Sequence, residues 1–167
     1  MANTRAEKFM AMKNAIEENK AIYNIIKVIY KIFPYFLFLG YSALIVYLLI
    51  EWDLRLIKVV TVPAVTFFAV TIIRYVLNKP RPYEVMDITP LFPKSTKGKS
   101  FPSRHTASAV IISFAFLYVN IWLGIVSLVL SFLIISIRPI VGVHFIRDIV
   151  AGALISTLLG IIFFFVI

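Results

Sequence analysis

The chain has 167 residues, a formal net charge of +9, no cysteine and a hydrophobic fraction of 61%, with a mean hydropathy of +0.95. Because soluble domains are only about half apolar, this composition excludes a soluble globular protein and predicts one integral membrane domain, while the missing cysteines exclude disulfides, thiolate metal sites and thiol nucleophiles. The positive charge suits anionic lipids or phosphate substrates, and without a nucleic-acid-binding motif we expect no nucleic-acid partner.

The N-terminal segment is predicted to be an amphipathic helix over residues 4–32. Ile22, Ile26 and Ile29 recur at helical spacing, while the lysines fall largely elsewhere. Several lysines make the segment unsuited to span a bilayer, so we assign residues 1–32 to an interfacial helix on anionic lipid. The alternative is a solvated, charged helix packed on the rest of the protein. In either case we expect it to carry no chemistry.

The remaining residues, 33–167, are predicted to form an all-α, polytopic membrane bundle. Each span needs about 20 predominantly apolar residues. Five segments approach that length, which gives about five to six transmembrane helices: 35–50, 54–77, 104–119, 122–137 and 145 to the C-terminus. Counting the turns places the N-terminal segment, the long polar 78–101 connection and the turn near residue 140 on one side of the membrane.

Three polar segments stand at the span ends on that side: residues 74–82, 102–105 and 138–148. They contain both histidines of the chain, together with arginines next to hydrophobic spans. An unpaired charge in such a place is costly. We therefore expect the three segments to converge on one phosphate-binding and phosphate-transferring site at the membrane surface.

The third segment pairs His144 with Asp148, which are neighbours on one helix face because they are four residues apart. A carboxylate that accepts from one ring nitrogen fixes the tautomer and leaves the other nitrogen as a nucleophile or base. A structural hydrogen bond between the two is the alternative. Further along, Gly152, Ser156 and Gly160 continue the four-residue spacing, which predicts close approach of another helix.

The second segment places His105 at the start of a span, directly after Ser103. Helix starts offer free backbone N–H groups and a favourable dipole to an anion. With an ordinary pKa of about 6.5, His105 can be protonated near neutral pH and can give a proton to a leaving oxygen. Ser103 is expected to cap the helix or to donate to a phosphate. The alternative for this segment is a helix cap and an interfacial histidine without a role in chemistry.

The arginines of these segments, Arg74, Arg81 and Arg138, have forked donors that match phosphate oxygens. The alternative is that they anchor helix ends at the membrane surface. Two histidines and an aspartate can bind Zn²⁺, but the neighbouring arginines would repel a cation, so we expect neither a metal nor another cofactor. The connection also carries four lysines that we interpret as solvated charge with a steering role: Lys79, Lys94, Lys97 and Lys99.

The three segments resemble the signature motifs of the type 2 phosphatidic acid phosphatase (PAP2) superfamily. The first motif, Lys-x6-Arg-Pro, is filled by Arg74, Arg81 and Pro82. The second, Pro-Ser-Gly-His, is filled by Pro102, Ser103 and His105, with Arg104 in place of glycine. The third, Ser-Arg-x5-His-x3-Asp, is filled by Arg138, His144 and Asp148, with Ile137 in place of serine.

The resemblance implies that residues 33–167 form a PAP2-like catalytic domain with metal-independent phosphatase activity. His144 would attack phosphorus, Asp148 would orient it, and His105 would protonate the leaving lipid alcohol and then activate water. The residues that would hold the phosphate are Arg74, Arg81, Ser103 and Arg138. Arg104 is a candidate for tuning substrate choice, since it adds charge beside His105.

The expected substrate is a phosphorylated lipid in a cell membrane, such as phosphatidylglycerophosphate, phosphatidate or an isoprenyl (undecaprenyl) pyrophosphate. A lipid phosphotransferase and a weakly catalytic protein that binds anionic lipid are the alternatives. We expect a multi-pass protein of a bacterial plasma membrane. All lysines and arginines except Arg55 and Lys58 lie on the side of the site, so the positive-inside rule favours a cytoplasmic site, whereas the resemblance favours an extracytoplasmic one. Oligomeric state is left open by the sequence.

Overall fold

A computed structural model describes residues 2–167, and over that range the chain forms helices and no strands. The helices in chain order are α1 (Ala2–Glu18), α2 (Lys20–Lys31), α3 (Phe33–Ile50), α4 (Arg55–Leu77), α5 (Pro82–Val85), α6 (Arg104–Val119), α7 (Ile121–Ile140) and α8 (Ile146–Ile161), followed by a π-helical turn at Ile162–Val166. Within the described range four helical stretches are long and apolar enough to cross a membrane, and α6 is a shorter apolar helix. The predicted all-α membrane bundle is confirmed.

Helix α6 is the centre of the bundle, because it packs against α3, α4, α7 and α8. Its 16 residues extend about 24 Å, less than the roughly 30 Å hydrocarbon thickness. The surrounding helices carry the outward face. They expose large apolar side chains such as Phe36, Phe68 and Phe132, as expected of surfaces in contact with lipid. The short helix is thus enclosed by longer ones.

Small residues bring α8 against α6, as the four-residue spacing predicts. A Cβ atom added to Gly152 would lie 2.6 Å from the backbone oxygen of Ser103, and one added to Gly160 would lie 2.6 Å from Cγ of Phe114. The hydroxyls of Ser113 and Ser131 lie 2.8 Å apart and join α6 to α7. Close backbone approach and hydrogen bonds between helices are typical ways of packing in a membrane.

Helix α4 is interrupted internally by Pro63, which has no N–H to donate to the carbonyl of Val59. The hydroxyl of Tyr41 on α3 donates to that carbonyl at 2.8 Å. Backbone polar groups at membrane depth need such partners. The proline therefore provides the acceptor by which α3 is attached to α4.

The prediction of one N-terminal helix over residues 4–32 is wrong, because the chain breaks at Asn19 into α1 and α2. The Asn19 side-chain oxygen accepts from the amides of Ala21 and Ile22 at 3.1 and 3.2 Å, which caps α2. A cluster of buried apolar side chains then holds α2 against α7 and the polar connection: Ile16, Ile26, Leu91, Phe92, Ile137, Val141 and Val143. The location of this N-terminal segment at the membrane interface stays a prediction.

The long connection between α4 and α6 is folded against the turn between α7 and α8. Glu84 of α5 accepts from the amides of Arg81 at 2.8 Å and Gly98 at 2.9 Å. The amide of Leu91 donates to the carbonyl of Val141 at 3.0 Å. The ends of the connection are also joined, since the amide of Ser100 donates to the carbonyl of Lys79 at 2.8 Å. These contacts give the polar residues of the connection fixed positions.

Candidate active site

The three polar segments converge, as the topology predicts. Arg74 Nη1 donates to the carbonyl of Pro102 at 2.9 Å, which joins the first segment to the second. The amide of Ser103 donates to the carbonyl of Asp148 at 2.8 Å and joins the second to the third. Arg81 Nη1 lies 3.4 Å from the carbonyl of Val143, which joins the first to the third.

His144 and Asp148 are both buried, with exposures of 3% and 0%. Nδ1 of His144 lies 3.6 Å from Oδ2 of Asp148, which is longer than a normal hydrogen bond. Catalytic hydrogen bonds are often long in the absence of substrate. The pair is thus arranged to leave Nε2 of His144 as the ring nitrogen that does not face the carboxylate.

A third side chain, Ser100, lies between the members of this pair. Its hydroxyl donates to Oδ2 of Asp148 at 2.5 Å and lies 3.4 Å from Nδ1 of His144. The amide of Phe145 also donates to Oδ2 of Asp148, at 3.0 Å. Two donors therefore fix the carboxylate oxygen that faces the histidine.

The turn that carries His144 depends on Gly142, whose φ of +81° is in the region that favours glycine. The turn places His144 just before the start of α8. Burial lowers the pKa of the His144 imidazole, although the nearby Asp148 carboxylate opposes this effect. The imidazole is therefore neutral at pH 7 and has a free lone pair, as a nucleophile needs.

Ser103 caps α6 and is fully buried. Its Oγ accepts from Oγ1 of Thr106 at 3.0 Å and from the Thr106 amide at 3.5 Å. Since Oγ acts as acceptor in both contacts, its own hydrogen is available to an external acceptor. The predicted cap is confirmed, and donation to a phosphate stays a prediction.

Arg74, Arg81 and Arg138 are all buried, with exposures of 7%, 6% and 3%. Within the described residues none of them is paired with a carboxylate. Arg74 and Arg81 donate to backbone carbonyls instead. Nε of Arg138 is buried with no hydrogen-bond partner in the described part of the chain. Buried guanidinium groups without a carboxylate partner are suited to bind an anion.

Two cavities meet at His105 and Arg138. The polar cavity, about 610 Å³, is lined by Tyr30, Lys31, Pro34, Tyr35, Phe38, Lys94, His105 and Arg138. The apolar cavity, about 260 Å³, lies among α3, α4, α6 and α7 and is lined by Pro34, Leu37, Phe38, Phe67, Arg104, His105, Ser108, Ala109, Ile112, Ile134 and Arg138. A ligand at His105 would therefore have access to both cavities, of which the larger is also lined by Lys31 and Lys94.

Arg104, the departure from the glycine of the second motif, lies with Cζ 5.2 Å from the ring centre of Phe67 on α4. This is a cation–π distance. The side chain lines the apolar cavity and not the polar one. Its role in substrate choice stays a prediction.

Two residues near the site were not found from the sequence. Ser100 lies in a connection without periodicity, so no pattern indicates its contact with Asp148. Tyr30 has its ring centre 4.8 Å from Cζ of Arg138, so the N-terminal segment, which was expected to carry no chemistry, contacts a predicted phosphate-binding residue. Its helical spacing from Tyr23 and Ile26 is the signal that could have placed it on a buried face.

Lys94 corrects a further expectation, since it is half-buried rather than solvated. Burial, reinforced by the positive charges of Arg81 and Arg138, lowers the pKa of the Lys94 ammonium. The other three lysines of the connection are exposed, as expected: Lys79, Lys97 and Lys99. In the described range, no group of three or more His, Asp or Glu side chains is placed to hold a metal ion.

The fold and the site together define a multi-pass membrane protein with a buried cluster of arginine and histidine side chains. A family profile described as the PAP2 superfamily matches residues 55–167. The matched part is more than half of the chain, so the chain belongs to the PAP2 superfamily. The resemblance of the three motifs is thus confirmed, and the class is that of membrane phosphatases.

Two solved structures are similar to this chain. LpxE from Aquifex aeolicus has 27% sequence identity and a TM-score of 0.64, over 84% of this chain and 92% of that chain. The first transmembrane PAP2-type phosphatidylglycerolphosphate phosphatase from Bacillus subtilis has 21% identity and a TM-score of 0.44, over 91% of this chain and 90% of that chain. A comparison with curated proteins found no match.

Proposed function

We propose that the protein hydrolyses a phosphate monoester or pyrophosphate of a membrane lipid through a phosphohistidine at His144. One observation carries the proposal. His144 lies 3.6 Å from Asp148, next to buried arginines that have no carboxylate partner in the described chain. A neutral imidazole beside positively charged side chains that can bind a phosphate is suited to attack phosphorus. Membership of the PAP2 superfamily supports this chemistry.

In the first step, Nε2 of His144 attacks the phosphorus and the bond to the leaving oxygen breaks. Asp148 stabilises the positive charge that develops on the ring by accepting from Nδ1. His105 donates its proton to the leaving oxygen, so that the lipid departs as an alcohol, or as a monophosphate from a pyrophosphate. The arginines and Ser103 stabilise the charge on the equatorial oxygens.

In the second step, the neutral His105 accepts a proton from water, and the water oxygen attacks the phosphohistidine. The N–P bond breaks, inorganic phosphate leaves, and His144 returns to its neutral form. No step requires a metal ion. The roles of His105 and His144 follow the family resemblance, and the position of His105 beside the apolar cavity agrees with a lipid substrate.

The proposal is tested by phosphate release from the purified protein in detergent micelles with excess EDTA. The substrates are phosphatidate, phosphatidylglycerophosphate and an isoprenyl pyrophosphate. We expect release from at least one lipid, inhibition by vanadate, and loss of release in His144→Ala. Full activity of that variant, or no release from any of the three lipids, would contradict the proposal, and dependence on added metal would contradict the metal-free mechanism.

Hydrolysis and phosphotransfer differ in the molecule that takes the phosphoryl group from His144 in the second step, which is water in the first case and a lipid in the second. Adding an acceptor lipid to the assay and analysing the products separates them, since transfer yields a newly phosphorylated lipid in place of inorganic phosphate. We expect inorganic phosphate as the main product under both conditions.

The side of the membrane that carries the site is tested with a single cysteine. The chain has no native cysteine, and Ser95 is exposed in the connection beside the site. The charge distribution predicts that Ser95→Cys in intact cells reacts with an impermeant maleimide only after lysis. Labelling before lysis would place the site outside the cytoplasm.

A further inference from the structure

The polar cavity contains cations that the proposed phosphate transfer does not use. Lys31 comes from the last turn of α2 and Lys94 from the connection between α4 and α6. No acidic side chain lines this cavity. The phosphate to be cleaved is already provided with Arg74, Arg81 and Arg138, so the two lysines are additional positive charges on one side of the site.

The surroundings of Lys94 favour an anion in this cavity. Lys94 is half-buried, and no carboxylate in the described chain is paired with it or with Lys31. A half-buried cation among other cations is electrostatically unfavourable unless a negative group compensates it. The lowered pKa of Lys94 has the same physical cause.

The position of the polar cavity beside the proposed site fits such an anion. His105 and Arg138 line both cavities. In a pyrophosphate lipid or a phosphatidylglycerophosphate the terminal phosphate is cleaved, so the second phosphate lies between the scissile phosphate and the lipid chain. With the scissile phosphate at the histidines, this second phosphate would lie in the adjoining polar cavity. The cavity volume of about 610 Å³ is large enough for a second headgroup phosphate.

We propose that Lys31 and Lys94 form a second anion subsite, which selects lipids that carry a further phosphate group besides the one cleaved. The chemistry is shared by a pyrophosphate, in which the two phosphorus atoms are adjacent, and by a glycerophospholipid monoester, in which a glycerol separates a phosphodiester from the terminal phosphate. This inference rests on the proposed function, and it assigns recognition of the second group to these lysines rather than to Arg104.

The test compares kcat/KM for a lipid with one phosphorus atom and lipids with two. Phosphatidate is the first, and phosphatidylglycerophosphate and an isoprenyl pyrophosphate are the two arms of the second. We expect Lys94→Gln to lower the ratio of two-phosphorus to one-phosphorus kcat/KM by about tenfold in at least one arm. Lys31→Gln, at an exposed position, should lower it by about threefold. The lipid for which the ratio changes more identifies the spacing between the two phosphorus atoms that the subsite recognises.

Two matched variants serve as controls. Lys97→Gln removes the same charge from an exposed position in the same connection and should leave the ratio unchanged. Lys94→Arg keeps the charge and should retain most of the preference. If Lys94→Gln lowers kcat/KM equally for all three lipids, Lys94 binds the scissile phosphate instead and the subsite is refuted. An unchanged ratio in both arms also refutes it.

Binding to the full-length protein separates failure of the subsite from failure of the proposed function. Inorganic pyrophosphate and phosphate are titrated in detergent micelles while thermal stability is measured, since a ligand of the folded state raises the melting temperature. We expect pyrophosphate to stabilise the wild type more than phosphate does, and Lys94→Gln to remove most of that difference. Equal stabilisation of both proteins overturns the subsite, even if no lipid is turned over.

Discussion

The two ends of the bundle differ in how their arginine side chains are paired. At the end remote from the site, Arg55 donates from Nε and Nη2 to Asp53 at 2.8 and 2.6 Å and from Nη1 to the carbonyl of Val119 at 3.2 Å. The hydrogen bonds from Arg55 to Asp53 lower the pKa of the Asp53 carboxyl. At the site end, buried arginines contact carbonyls, and Nε of Arg138 has no partner among the described residues. Arg55 at the remote end thus has a carboxylate partner, whereas the buried arginines at the site end have none among the described residues.

Removing the Arg138 guanidinium at the site end should have the largest effect on activity. Arg138→Met keeps much of the apolar stem but removes the fork, and we expect kcat to fall by on the order of 10²–10³-fold, the usual effect of removing one transition-state donor. Because a positive charge leaves a cationic cluster, the melting temperature should stay the same or rise. Arg138→Lys should be intermediate. Near-normal kcat in Arg138→Met would show that the cluster does not bind the reacting phosphate.

Ser100→Ala tests whether the site end depends on a positioning residue. We expect kcat to fall about tenfold or more with little change in KM, since a hydrogen bond to a charged group contributes about 1.5–3 kcal/mol. Ser100 contacts Asp148 and His144 but is not expected to bind substrate.

The pH profile distinguishes positioning from general damage. In the wild type, the lowered pKa of His144 places the acid limb of kcat/KM below the ordinary histidine value of about 6.5. Without the Ser100 donor, the Asp148 carboxylate accepts more strongly from His144, which stabilises the protonated ring and moves the limb to higher pH. A lower kcat/KM at every pH, without a shift of the acid limb, would indicate only a structural defect.

Gly152→Ala should affect both stability and the site. The new Cβ would lie 2.6 Å from the Ser103 carbonyl, so the backbone at the start of α6 must move. We expect a loss of about 1–3 kcal/mol in the free energy of unfolding, as for other overpacked sites, together with reduced activity. Gly160→Ala is the matched control, because its Cβ meets the Phe114 ring, at a distance from the site. Its activity should stay closer to that of the wild type when both are measured well below their melting temperatures.

The smallest effect is expected from Arg55→Gln at the remote end. It removes one positive charge, as Arg138→Met does, but half-exposed ion pairs contribute little to stability. We expect kcat/KM within about twofold of the wild type. A large loss of activity in micelles would mean that the remote end is coupled to the site and that the contrast between the two ends does not hold.

The sequence was sufficient for the helices because span length and apolar runs are local properties. The predicted spans 54–77 and 104–119 agree with α4 and α6 to within one residue. Counting turns also predicted correctly that the three polar segments lie at the same end of the bundle. The break at Asn19 was missed, since the isoleucine spacing continues through α2 and does not show where α1 ends.

The site was predictable only in part. The four-residue spacing predicted the proximity of His144 and Asp148 correctly, but His144 lies in the turn before α8 and not on a shared helix face. Ser100, Lys94 and Tyr30 reach the site through the path of the connection and the packing of α2, and no periodicity encodes either. The arginines could be recognised by type, but whether carboxylates accompany them depends on tertiary contacts.

The hydrogen bond from the Ser103 amide to the Asp148 carbonyl has a mechanical consequence. It fastens the start of α6 to the start of α8, and Gly152 lets the two backbones touch there. His105 and His144, the proposed proton donor and nucleophile, therefore lie at helix starts that are joined to each other. Any adjustment to lipids of different size must come from the opposite wall, formed by the end of α2 and the connection around Lys94. In this arrangement, the reaction geometry and the choice of lipid can change independently of each other.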